Sequence, residues 1–124
     1  MYKIILECLS GITTYFLSDF DAILKTLLLF ILIDYITGVL KAINKKKLSS
    51  KIGLKGIISK ITILLVVALA TSLDSVFNIE AIRYLTIGFY VANEGISILE
   101  NIGELGIPYP EKLKEVPKQL HSKK

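Results

Sequence analysis

Two carboxylates stand where an acid is costly to keep. Asp34 directly follows the apolar run LeuLeuLeuPheIleLeuIle at 27–33, and Glu94 sits near the middle of a mostly apolar stretch, 82–102. A charged acid at the centre of a bilayer costs about 2.5–3.5 kcal/mol on insertion scales, so each of these must face other helices or water. The position of Asp34 leaves two readings open. Either it pairs with Lys60 across a helix interface as a structural contact, or it belongs to a functional polar surface; protonation of either carboxyl is a further option. In the 82–102 stretch, Thr86, Tyr90, Asn93, Ser97, Glu100 and Asn101 recur at spacings of three, four and seven, which sets them along one helix face. Glu94 and Glu104 border that face, while Ile87, Val91, Ile98 and Ile102 supply an apolar side. A span with one wet and one greasy face is poorly satisfied alone in lipid. It requires copies of itself or a water-filled lumen; the plainer alternative is burial of the polar face within a small bundle. The favoured expectation is the first, with Asp34, Thr37, Asn93, Glu94, Ser97, Glu100 and Asn101 as pore-lining or oligomer-contact residues.

Other chemistry has little to stand on. The chain carries no Walker-type glycine loop, no CxxC and no HExxH. His121 is the sole histidine, so a His-based triad or metal cluster cannot be assembled within one chain. Cys8 is the sole cysteine, which rules out an internal disulfide. No enzymatic activity, metal or cofactor is expected.

The elements that must hold these residues are apolar helices. Of 124 residues, 52% are hydrophobic and the mean hydropathy is +0.60. The apolar residues come in blocks rather than spread through polar sequence, and 61–73 contains no charge. A spanning helix takes about 20 mostly apolar residues. Three windows approach that length: 22–41, 56–74 and 82–102. Residues 2–17 differ, because Ile5, Cys8, Leu9, Ile12 and Phe16 recur at helical spacing while Lys3, Glu7, Ser10 and Thr14 fall largely on the other side. They predict an amphipathic helix lying in the interface, with a short fourth span as the alternative. Ser18 to Asp21 would cap and start the next helix. Lys3 is the only early basic residue and no small-residue cleavage site follows, so the mature chain is expected to start near Met1.

Charge sets the orientation. The 41–60 segment holds seven lysines and no acid, whereas 74–83 has Asp74 and Glu80 against Arg83. Short lysine-rich loops stay in the cytoplasm. This places the basic loop 42–55 inside, the 74–83 turn outside, the N-terminus outside and the C-terminus inside. Lys45, Lys46, Lys47, Lys51 and Lys55 are expected to anchor topology and to attract anionic lipid headgroups rather than nucleic acid. Gly38 with Ala42, and Ala68 with Ser72, are four apart and candidates for close helix contacts. Residues 103–124 read as a basic tail in which Pro108, Pro110 and Pro117 prevent one continuous helix. The expected architecture is an all-α, small polytopic membrane protein: an N-terminal amphipathic helix (1–21), a three-span domain (22–102) and a cytoplasmic tail.

At these residues the chain resembles a known family. Asp34-Tyr35-Ile36-Thr37-Gly38, Lys47-Leu48-Ser49-Ser50, Lys55-Gly56, Lys60-Ile61, Asn93-Glu94-Gly95-Ile96-Ser97-Ile98-Leu99-Glu100-Asn101 and Gly106-Ile107-Pro108-Tyr109-Pro110 resemble the toxin-secretion/phage-lysis holins over roughly 22–120. Tyr109 departs from the pattern, standing where an aliphatic residue is expected between the prolines. The resemblance implies a phage or prophage protein that accumulates in the bacterial cytoplasmic membrane, forms homo-oligomers and opens large lesions. A muralytic enzyme, or in some relatives a toxin, passes through without needing direct contact. It assigns no roles to single residues. Rival readings are an antiholin-like regulator, a small transporter coupling protons through Glu94 or Asp34, and a membrane adaptor that recruits a partner through its lysines.

Overall fold

A computed structural model describes residues 1–17 and 21–122, and the side chains of all of these except 12–17, 117 and 120–122. Ile12, Thr14 and Phe16 of the expected amphipathic pattern, and most of the expected 18–21 cap, therefore lie outside what is described. Among the described residues there are five α-helices and no strand: α1 Tyr2–Leu17, α2 Ala22–Asn44, α3 Ser50–Phe77, α4 Ala81–Glu104 and α5 Glu111–Ser122. Two of them, α2 and α3, are long and apolar enough to cross a membrane. At 1.5 Å per residue they measure about 35 and 42 Å, longer than the ~30 Å hydrocarbon core.

Each central helix begins or ends on a local signal. Asp21 caps α2, its carboxylate accepting from the Leu24 N–H at 3.2 Å. α2 stops where Lys46 turns left-handed (φ 57°), a strained conformation for a lysine that lets the Lys47 N–H reach the Ala42 carbonyl at 2.8 Å. Ser49 then caps α3 by accepting from the Ile52 N–H. α3 ends at Asn78, whose φ of 56° suits asparagine better than most side chains. α4 lacks a side-chain cap from Glu80, and Asp74 of α3 supplies one instead, accepting from the backbone N–H groups of Ile82 and Arg83 at 3.1 and 2.8 Å.

These boundaries lengthen every expected span. The basic connection narrows from 42–55 to 45–49, because Ser49 starts α3 early; Lys51 and Lys55 sit on α3, not in a loop. The tail differs as well. Residues 105–110 break the chain, as the prolines require, but 111–122 then form α5, with Pro117 inside it.

The most polar of the long helices is the centre of the bundle. α2 and α3 both pack along α4 and scarcely touch each other, while α5 folds back against α4. That arrangement gives the polar groups of α4 protein partners in place of hydrocarbon. Leu24 and Leu27 of α2, Ile63 and Val67 of α3, and Ile87 of α4 form an apolar layer toward the Asp21 end. The outer sides of α2 and α3 stay exposed and greasy, as at Leu29, Leu32, Ile36, Leu65 and Leu69. α1 stands apart, with residues 2–11 exposed on every side.

Candidate functional site

Below the apolar layer, toward the lysine-rich end, the three long helices converge on a buried ionic cluster. Asp34 of α2 is 6% exposed and Glu94 of α4 is 5% exposed. Lys60 of α3 reaches between them, pairing with Asp34 and donating to Glu94 Oε1 at 2.7 Å. The second Asp34 oxygen accepts from Ser97 Oγ at 2.6 Å and from Asn101 Nδ2 at 3.0 Å. Asn101 Nδ2 also donates to Thr37 Oγ1 at 3.0 Å and contacts the Asp34 carbonyl. Among the described residues no buried side-chain nitrogen or oxygen lacks a hydrogen-bond partner. This satisfaction is what makes such a cluster tolerable, since one unpaired charge here would cost several kcal/mol.

Small residues permit the convergence. Gly38 lies against α4, where a Cβ would meet Asn101 Nδ2 at 3.7 Å. Gly56 of α3 faces the Tyr35 ring so closely that a Cβ would sit 3.1 Å from it, and the Tyr35 hydroxyl donates to the Gly53 carbonyl at 3.3 Å. Tyr35 thereby wedges the start of α3 against α2, one residue from Asp34.

The residues singled out from sequence separate into two groups. Asp34, Thr37, Glu94, Ser97 and Asn101 meet inside one protomer, with Gly38 and Ala42 on the same α2–α4 seam. Asn93 and Glu100, seven residues apart on α4, lie at the edge of this contact; Glu100 is exposed and Asn93 half-buried. Ala68 and Ser72 are on the outer part of α3, half-buried and exposed respectively, away from the cluster. The polar strip of α4 is thus divided lengthwise, one half turned inward and the other left at the rim. Ile87 and Ile98, expected on the opposite side, are buried too, because α4 is enclosed by three neighbours.

Two further charge groups close the ends of the bundle. At one end Arg83 donates to both oxygens of Asp21, at 3.0 and 3.3 Å, and the Tyr84 hydroxyl joins at 3.2 Å. The Arg83 guanidinium beside Asp21 holds its carboxyl below the ordinary value of 3.8, against an opposing contribution from burial. At the other end Lys41 and Lys45 share Glu104, at 3.1 and 3.4 Å. From sequence, Lys60 is legible only as a possible partner of Asp34, and nothing there assigns the contacts of Tyr35 and Asp74 or pairs Asp21 with Arg83. A lone lysine between apolar residues, and acids flanking a two-helix turn, were the available signals.

A model of the bacteriophage holin family matches residues 11–122. An uncharacterised 14.9 kDa protein of Clostridium perfringens is 48% identical over 118 residues, covering 94% of this chain and 89% of that protein. A Listeria monocytogenes protein is 44% identical over 103 residues, covering 82% of this chain and 74% of its own length. A "probable holin" of Bacillus phage phi105 is 38% identical over 88 residues, covering 70% of this chain and 65% of the phage protein. No solved structure matches the chain.

Proposed function

The chain belongs to the bacteriophage holin family, and on that footing we propose that it collects in the bacterial cytoplasmic membrane, assembles through α4 and opens lesions large enough for a muralytic enzyme or toxin to pass. It acts without enzymatic chemistry. α4 crosses as a third span beside α2 and α3, and α1 lies along the outer interface. The lysine-rich end faces the cytoplasm together with α5, and the Asp21–Arg83 end faces outward.

The observation that carries this reading is the lengthwise division of α4's polar strip. Asp34, Thr37, Glu94, Ser97 and Asn101 are satisfied within each protomer by Lys60 and by one another, which lets single copies accumulate in lipid. Asn93 and Glu100 remain at the rim, where a second copy can meet them. When enough copies gather, rim meets rim; the inner half can then exchange its partners for water in a lumen. Lysis timing tests this. Leu substitution of Asn93, Glu100 or Asp34 is expected to shift the onset of lysis after induction, and unchanged onset in all three would remove the assembly role of these residues.

Release of a cytosolic muralytic enzyme, followed together with membrane potential, tests the lesion itself. Abrupt depolarisation with simultaneous enzyme escape is the expected result. Slow depolarisation without escape would favour a small transporter working through Glu94 or Asp34. A membrane that stays tight would favour an antiholin-like regulator.

A further inference from the structure

The scant contact between α2 and α3 leaves two neighbouring hollows along their seam, which share Tyr35 and Lys60 in their walls. At the lysine-rich end a cavity of 440 Å³ is bounded by Lys41, Lys45, Lys47, Leu48 and Ile52, and it reaches Tyr35 and the Asp34–Lys60 pair, with Ser97 and Asn101 of α4 also in its wall. On the other side of Tyr35 and Lys60 a second hollow of 240 Å³ lies between the helices, walled by Leu28, Ile31, Leu32, Ile57, Ile61 and Leu64. The first part is cationic at its mouth. Lys41 and Lys45 divide a single carboxylate, Glu104, and Lys47 has no acidic partner among the described residues. The second part is apolar apart from Lys60, whose ammonium is already held by Asp34 and Glu94.

We propose that this cleft is a binding site for one anionic phospholipid. The phosphate sits at the mouth against Lys45 and Lys47, and an acyl chain runs down the hollow beside Leu32, Ile57 and Ile61. Charge complementarity selects the headgroup, since the 41–60 segment has seven lysines and no acid. The adjacency of a cationic mouth and an apolar trough, with Tyr35 and Lys60 bordering both, selects an amphiphile over a free anion. The bound lipid would fill the gap that α2 and α3 leave between them and brace the pair against α4. This inference rests on membrane residence and not on lesion formation, so a failed lysis experiment would leave it standing.

The test uses the full-length protein purified in neutral detergent and offered phosphatidylglycerol, phosphatidylcholine or inorganic phosphate. Retained lipid is counted by native mass spectrometry, and helicity is checked by circular dichroism. One phosphatidylglycerol should be retained, in preference to phosphatidylcholine. K45Q/K47Q should weaken retention by about fivefold per lysine, the size expected for charges near an anionic surface. K51Q/K55Q removes the same charge from lysines outside the cavity and should change retention little. I61W, which fills the trough, should displace the lipid while helicity stays unchanged. Equal losses in the two lysine pairs would overturn the site in favour of general surface attraction. Stabilisation by inorganic phosphate equal to that by phosphatidylglycerol would overturn the acyl-chain half. Retention unaffected by I61W would do the same, as would a lipid-free dimer cross-linked through I61C.

Discussion

At the residue scale, one lysine balances two acids. Lys60 bridges the buried carboxylates of Asp34 and Glu94, so removing it leaves two acids facing each other without a counter-ion. Lys60→Met should lower the stability of the bundle in detergent by about 3–5 kcal/mol. Adding Asp34→Asn should recover part of that loss, since it removes one of the stranded charges; thermal unfolding of the single and double variants decides the matter. At the Asp21–Arg83 end the sign of the pH dependence follows from Asp21. Its carboxyl is held below 3.8 in the folded chain, so the Arg83 contact stabilises fully above that value and is lost as pH falls through the lowered one. The thermal midpoint should therefore drop as pH falls below about 4. Arg83→Gln should flatten that drop. The pair is partly exposed, with Asp21 at 34%, and screening keeps the effect small.

At the element scale, packing depends on where glycine sits. Gly56 meets the Tyr35 ring at a distance that leaves no room for a branched side chain. Gly56→Val should push the start of α3 away from α2, read as a longer spin-label distance between those helix ends, whereas Gly103→Val, with open space around it, should not. The elements were largely legible beforehand. Apolar blocks mark α2 and α3 to within a few residues at the ends away from the lysine-rich turn, and spacings of three, four and seven mark α4 as a helix with a polar strip. Periodicity tells which residues share a face but not which neighbour that face meets, so the split between Asn101 inside and Glu100 outside could not be read. Nor could the cap on α4, because Asp74 provides it from another helix. Pro117 concealed α5, since a proline usually argues against a helix interior. The Asp34–Lys60 contact was legible as one of two options; its joining of Glu94 was not.

At the scale of the whole molecule, the orientation is a prediction with a direct measurement. In a Cys8→Ser background, Lys47→Cys should react with an impermeant thiol reagent only from the cytoplasmic side, and Asn78→Cys only from outside. Labelling of both from one side would overturn the three-span reading while leaving α2 and α3 intact as helices. The bundle also has an unusual division of labour. Its two greasiest long helices supply the surface toward lipid, while α4, the most polar of the three, holds them together.

That α2 and α3 are joined mainly through α4 has a consequence for biogenesis. The ribosome delivers α2 and α3 first, so a hairpin carrying Asp34 and Lys60 exists before Glu94, Ser97 and Asn101 have been made. At bacterial elongation rates the remaining stretch through α4 takes on the order of a few seconds. During that interval the insertion machinery must shelter a pair of helices held only by the Asp34–Lys60 pair and the Tyr35 contact, without the α4 groups that complete the cluster. Nascent chains that stall before residue 94 should be the ones surveillance proteases remove, while chains that have passed residue 101 escape them.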